Sequence, residues 1–133
     1  MNQLLSQVVE HLNLLIPKET EILAGLEMGG IPLTTALSLK SQLPSRFVRK
    51  QAKDYGTMRI CEGGEIKKKN LCLIEDVITT GGQVIASARE LRALGAVVSN
   101  VLCVIFRGDD LKNLEREKLK LTYLFKKEDL ISP

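Results

Sequence analysis

Leu4, Leu5, Val8, Val9, Leu12, Leu15 and Ile16 recur at helical spacing, which predicts an amphipathic helix over residues 2–16, closed by Pro17. Residues 21–26 form a short apolar run that reads as a strand. Met28, Gly29, Gly30, Ile31 and Pro32 follow as a tight turn into a helix, with Pro32 in its first turn. That helix carries Leu33, Ala36, Leu37 and Leu39, and residues 46–50 read as another strand. The run 71–74 is continuously apolar, as expected of a strand buried on both faces. Gly81 and Gly82 then break the chain. Residues 83–94 carry Val84, Ile85, Ala88, Leu91 and Leu94 at helical spacing and stop at Gly95. A second buried strand is expected over 97–106, a charged helix over 109–120 capped near Asp109 or Asp110, and a last strand over 121–125. The strand, glycine turn, helix and strand across 71–106 make a right-handed βαβ unit. The fold class is therefore α/β, a mostly parallel twisted sheet flanked by helices.

The stretch 51–69 breaks this pattern, with few apolar residues, three glycines (Gly56, Gly63, Gly64) and many charges. It reads as a long exposed, mobile loop or a loose hairpin, and long loops in compact domains tend to carry function. The length of 133 residues fits a single domain over 1–133. A net charge of +3 is too small to argue for nucleic acid, and residues 67–69 read as a solvated turn. One histidine, His11, excludes multi-histidine metal motifs. Cys61, Cys72 and Cys103 have neither zinc nor disulfide spacing. His11 and the cysteines read as structural. No signal peptide and no span-length apolar run stand out, so the expectation is a cytoplasmic protein without a membrane partner.

The strongest chemical signal is residues 71–83. An apolar strand delivers two adjacent carboxylates, Glu75 and Asp76, to its carboxyl end. Val77, Ile78, Thr79, Thr80, Gly81, Gly82 and Gln83 then lead straight into a helix. Open α/β sheets bind ligands at the carboxyl ends of their strands. A helix N-terminus with nearby hydroxyls and glycines suits a phosphate. The carboxylates would repel that phosphate unless they face sugar hydroxyls or a hydrated Mg²⁺. A ribose 5-phosphate, with a diol at one end and a phosphate at the other, resolves the conflict. Neither a Walker A loop nor a G-x-G-x-x-G motif is present.

These residues resemble the phosphoribosyl-pyrophosphate (PRPP) signature of type I phosphoribosyltransferases. Residues 47–57 resemble the mobile catalytic loop of the orotate phosphoribosyltransferase family, and residues 24–33 resemble its pyrophosphate loop. The matches run in order over residues 20–108. The resemblance implies a type I phosphoribosyltransferase core and transfer of ribose 5-phosphate from PRPP to orotate, or another base, with release of pyrophosphate. It implies that Glu75 and Asp76 hold the ribose hydroxyls, with Mg²⁺ nearby through water and PRPP and no direct protein ligand. It gives residues 77–83 to PRPP binding and Thr79 also to the base. It makes Arg49, Lys50 and Lys53 the catalytic cations on pyrophosphate, and Glu27, Met28, Gly29 and Gly30 the pyrophosphate loop, with a non-proline cis peptide at Glu27–Met28. Arg107 falls where the family contacts orotate. A homodimer is implied, because the family's catalytic loop reaches into the partner's site.

Three departures stand out: Tyr55 replaces the usual histidine, Gly29 a common lysine, and Phe106 an aspartate. The chain is also expected to lack the family's N-terminal hood over the base. A non-catalytic PRPP- or nucleotide-binding regulator is the alternative reading.

Overall fold

A computed structural model describes residues 3–49, 61–62 and 65–130 of the chain. Helix α1 (Gln3–Leu15) precedes strand β1 (Ile22–Leu26) and helix α2 (Gly30–Ser41). Strands β2 (Ser45–Val48), β3 (Cys61–Glu62) and β4 (Asn70–Ile78) follow, then helix α3 (Gly82–Ala93) and strand β5 (Val97–Phe106). Helix α4 (Lys112–Arg116), strand β6 (Lys120–Lys126) and a 3-10 turn (Lys127–Leu130) complete the described chain. The strands form one sheet in the order β3-β2-β1-β4-β5-β6. Five of them run parallel, and β3 adds to the β2 edge antiparallel.

Alternation along β4 divides the core between the two faces of the sheet. Leu71 and Leu73 pack with Ala24, Val101 and Cys103, beneath Val84, Ala88 and Leu91 of α3 and Leu114 of α4. Cys72 and Ile74 pack with Leu23 and Leu102, beneath Val9 and Leu12 of α1 and Leu33 and Leu37 of α2. Helices on both faces leave a central strand no solvated side. This is why β1 and residues 71–74 of β4 are continuously apolar rather than alternating. Leu73 and Ile74 are fully buried, and each such side chain contributes about 1.5–3 kcal/mol of transfer free energy.

Three expectations change. Strand β4 runs past the apolar stretch to Ile78, because β5 continues the ladder through Glu75↔Cys103, Val77↔Ile105 and Ile78↔Phe106. The helix expected over 109–120 contracts to α4, whose single buried residue is Leu114. Lys118 takes a left-handed φ of 58° just beyond it, and the buried Leu119 leads into β6 instead. Asp110 lies next to the N-cap of α4, Leu111, as expected, and its Oδ1 accepts the Lys112 N–H at 2.9 Å. The end of the stretch 51–69 is also not open loop. Ile66 is buried, and the Lys68 N–H donates to the Gly95 carbonyl at 2.8 Å. The antiparallel pairing Val48↔Cys61 makes the hairpin of the alternative reading. Of the stretch 51–69 expected to be a mobile loop, residues 51–60 and 63–64 lie outside the described residues.

His11 is exposed on α1, with Nδ1 2.8 Å from the Gln7 carbonyl, while Cys72 and Cys103 are buried free thiols. Among the described residues no helix is long and apolar enough to cross a membrane.

Candidate active site

Parallel strands point their carboxyl ends at one edge, and two loops there lead directly into helices. The first follows β1. The Glu27 N–H donates to the Val48 carbonyl at 2.9 Å, which keeps the loop level with the end of β2, where Arg49 is exposed. The Glu27–Met28 peptide is cis, at the bond the family resemblance implied. Gly29 then caps α2 without any side-chain hydrogen bond; in the first turn the Ile31 N–H donates to the Met28 carbonyl at 3.1 Å and Pro32 has no N–H, so what the turn offers this edge is chiefly the partial positive charge of a helix start.

The second loop follows β4. Glu75 is buried, and its Oε1 accepts the Asp76 N–H at 3.0 Å. Asp76 is exposed, and its Oδ1 accepts the Val77 N–H at 2.7 Å. Gly81, at φ 88°, caps α3, again without a side-chain cap. Its carbonyl accepts the Ile85 N–H at 2.8 Å, and Thr80 Oγ1 accepts the Gly82 N–H at 3.4 Å. Glu75 and residues 77–84 line one cavity of about 140 Å³. Expected PRPP residues Val77, Ile78, Thr79, Thr80, Gly81, Gly82 and Gln83 thus share a single concave surface with Glu75. A larger cavity, about 620 Å³, lies beside Ser99 and Asn100 near the start of β5 and Lys120 and Leu121 at the start of β6. None of its lining residues belongs to the 27–30 turn or to residues 75–83, so size does not identify the site.

The loops meet at specific points. A β-carbon at Gly29 would overlap the Asp76 carboxylate, so the 27–30 turn and Asp76 form one surface. On the other side of β4, the Arg107 N–H donates to the Ile78 carbonyl at 2.8 Å. A β-carbon at Gly108 would overlap the Thr79 carbonyl, so the loop after β5 packs directly on the loop after β4. Arg107 is exposed and borders a separate opening of about 330 Å³ with Lys127, Glu128 and Leu130. Lys127 Nζ pairs with Asp109 Oδ1 at 2.8 Å, and this hydrogen bond lowers the Asp109 carboxyl pKa. The fold therefore gathers the 27–30 turn, Glu75, Asp76, residues 77–83 and the Arg107 loop on one edge. Lys50 and Lys53 lie outside the described residues.

Sequence reasoning missed Gly108 and the Asp109–Lys127 pair. A lone glycine just past a strand and an arginine is a usable signal for the first. No local signal joins residues 109 and 127, which meet only because β6 lies beside β5.

Burial sets the electrostatics beneath this edge. It pushes the Cys103 thiol up to about 12, with the negative charges of Glu75 and Asp76 adding to the effect. That thiol is no nucleophile at neutral pH. Among the described residues no group of three or more His, Cys, Asp or Glu side chains gathers as a metal cage. The adjacent pair Glu75 and Asp76, with Asp76 exposed, fits a hydrated Mg²⁺ that takes its other ligands from water and substrate.

No family model matches the chain. It is 47% identical over 106 residues to an orotate phosphoribosyltransferase of Nocardioides sp., covering 80% of this chain and 59% of that protein. It is 37% identical over 128 residues to the orotate phosphoribosyltransferase of Methanocella arvoryzae, covering 96% of this chain and 73% of that protein. The crystal structure of orotate phosphoribosyltransferase from Aeropyrum pernix superposes with a TM-score of 0.83 at 26% identity, over 93% of this chain and 72% of that one. The chain thus spans about three fifths of the Nocardioides protein and about three quarters of the Methanocella one. With a type I phosphoribosyltransferase core and this level of identity across most of a relative's length, the chain belongs to the orotate phosphoribosyltransferase family.

Proposed function

We propose that the protein transfers the ribose 5-phosphate of PRPP to orotate and releases pyrophosphate. The observation that carries this reading is the junction of the 27–30 turn with Asp76, beside the cavity that Glu75 and residues 77–84 line. It supplies a seat for a diphosphate, a pair of acids for a diol and a cradle for a phosphate, in the order that PRPP carries those groups. The relatives described above bear the name of this activity, which further supports it.

In this reading the C1–oxygen bond to pyrophosphate breaks, and the leaving group takes the electron pair. A ring nitrogen of the base forms the new bond to C1. Positive charge builds on the sugar and negative charge on the leaving group, so the protein's task is to stabilise that separation. Residues 79–83 hold the 5-phosphate with backbone N–H groups and the hydroxyls of Thr79 and Thr80. Glu75 and Asp76 accept hydrogen bonds from the ribose hydroxyls and face the sugar cation. Arg49, Lys50 and Lys53 neutralise the departing pyrophosphate. Thr79 and Arg107 address the base, Arg107 through a carboxylate or ring carbonyl. Mg²⁺, when bound, adds charge neutralisation of the diphosphate; Glu75 and Asp76 are the residues that would face it.

The same reading makes the chain a single cytoplasmic domain that acts as a homodimer, with no nucleic-acid or membrane partner. The deciding experiment follows orotate consumption by the purified protein with PRPP and Mg²⁺, beside a panel of other bases. Orotate-dependent turnover is the expected result. Turnover with another base alone would reassign the substrate. PRPP binding without turnover on any base would support the non-catalytic regulator.

A further inference from the structure

Gly29 is a glycine for an unusual reason. Its backbone sits at φ −65° and ψ −26°, the right-handed helical region that any residue adopts. The turn therefore does not require glycine for its conformation. The space does: a β-carbon here would fall on Cγ and both oxygens of the Asp76 carboxylate. Asp76 is itself tethered, because its Oδ1 accepts the Val77 N–H at 2.7 Å. The carboxylate is exposed but held by that bond over the start of α2, so a methyl group at position 29 would have to turn it away from its place there.

We propose that Gly29 is a positioning residue for Asp76: its empty β-position is the seat that sets where the ribose-facing carboxylate points. The inference rests on the reading of this edge as the PRPP site. It assigns Gly29 a role in the sugar half of the site as well as in the pyrophosphate turn. Two loops whose residues Gly29 and Asp76 are 47 positions apart in sequence are then coupled where they meet. A side chain at position 29 would disturb diol recognition without touching the sugar. The short carboxylate of Asp76 and the absent side chain of Gly29 form a matched pair.

The test is a double-mutant cycle on PRPP affinity, measured by calorimetry in Mg²⁺ on the full chain. Gly29→Ala is expected to keep the wild-type melting temperature, since its backbone suits alanine, and to weaken PRPP binding at least fivefold. In an Asp76→Ala background, where no carboxylate fills the seat, the same Gly29→Ala change is expected to cost less than twofold. Wild-type affinity in Gly29→Ala overturns the proposal. So does an equal loss in both backgrounds, which would mark a general disturbance of the turn. A fall in melting temperature alongside an equal loss in both backgrounds is the signature of a merely structural role and overturns it as well. The readout is binding, so the proposal and the proposed activity fail separately. A cycle as described with no orotate turnover overturns only the activity. Turnover with an additive cycle overturns only the positioning role. PRPP binding by none of the proteins overturns both.

Discussion

Arg107 donates its backbone N–H to the Ile78 carbonyl at 2.8 Å, so the loop after β5 leaves the sheet level with the loop after β4. The contact extends the β4–β5 ladder by one hydrogen bond and sets Gly108 against the Thr79 carbonyl. The loops after β4 and β5 are thereby registered to each other through backbone alone.

Gly108→Ala places a methyl group where the Thr79 carbonyl and the Phe106 ring already are. The loop has to shift, and overpacking of this kind costs about 1–3 kcal/mol. Urea unfolding should show a lower midpoint, and the KM for orotate should rise because both Thr79 and Arg107 move. An unchanged midpoint would mean that the loop yields freely and that the packing does not register it.

Arg107→Ala removes the cation proposed to meet the orotate carboxylate. A hydrogen bond to a charged group contributes about 1.5–3 kcal/mol, so the orotate KM should rise by about 10- to 100-fold. The KM for PRPP should stay within about twofold, since Arg107 lies outside the cavity that Glu75 and residues 77–84 line. Equal changes in the two constants would take Arg107 out of base recognition.

Lys53→Ala tests the catalytic cations. A charge that meets pyrophosphate chiefly as it departs contributes more in the transition state than in the ground state. Steady-state kinetics should show kcat reduced by about 100-fold, the order seen when a transition-state charge stabiliser is removed. PRPP affinity measured by calorimetry should fall much less. A loss confined to affinity would make Lys53 a binding residue only.

The buried thiols give a pH dependence. Burial pushes Cys72 and Cys103 each up to about 12, with Glu19 adding to the effect on Cys72 and Glu75 and Asp76 on Cys103. In the unfolded chain a thiol titrates near about 8.5. Between those values the unfolded state has released protons that the folded state still holds. Their stabilising contribution is therefore complete below about pH 8.5 and falls as pH rises toward 12. Urea midpoints measured from pH 7 to 10.5 should decline, and a Cys72→Ala/Cys103→Ala variant should decline less steeply. Parallel slopes in the two proteins would show that the thiols titrate alike in both states.

The alternation of burial explains which features were legible in the chain. Continuous apolar runs at 22–26 and 71–74, and the nearly all-apolar stretch 97–106, announced buried strands, and the order of elements announced a parallel sheet. The acids and glycines of 75–83 marked the loop proposed to hold a phosphate, because the relevant groups are neighbours in sequence. The contraction of α4 was not legible. Its charged residues have good helical propensity, but Leu114 alone anchors the segment, and the chain turns away to bury Leu119.

By itself, the sequence determined the α/β class, the βαβ unit and the loops that carry polar chemistry, because periodicity and local turn residues act over a few positions. Only the tertiary structure decided which loops touch. That Gly29 faces Asp76, that Gly108 faces Thr79 and that Asp109 pairs with Lys127 depend on strand order and register. Those are set by burying apolar side chains on both sides of the sheet, a collective quantity that no short segment encodes.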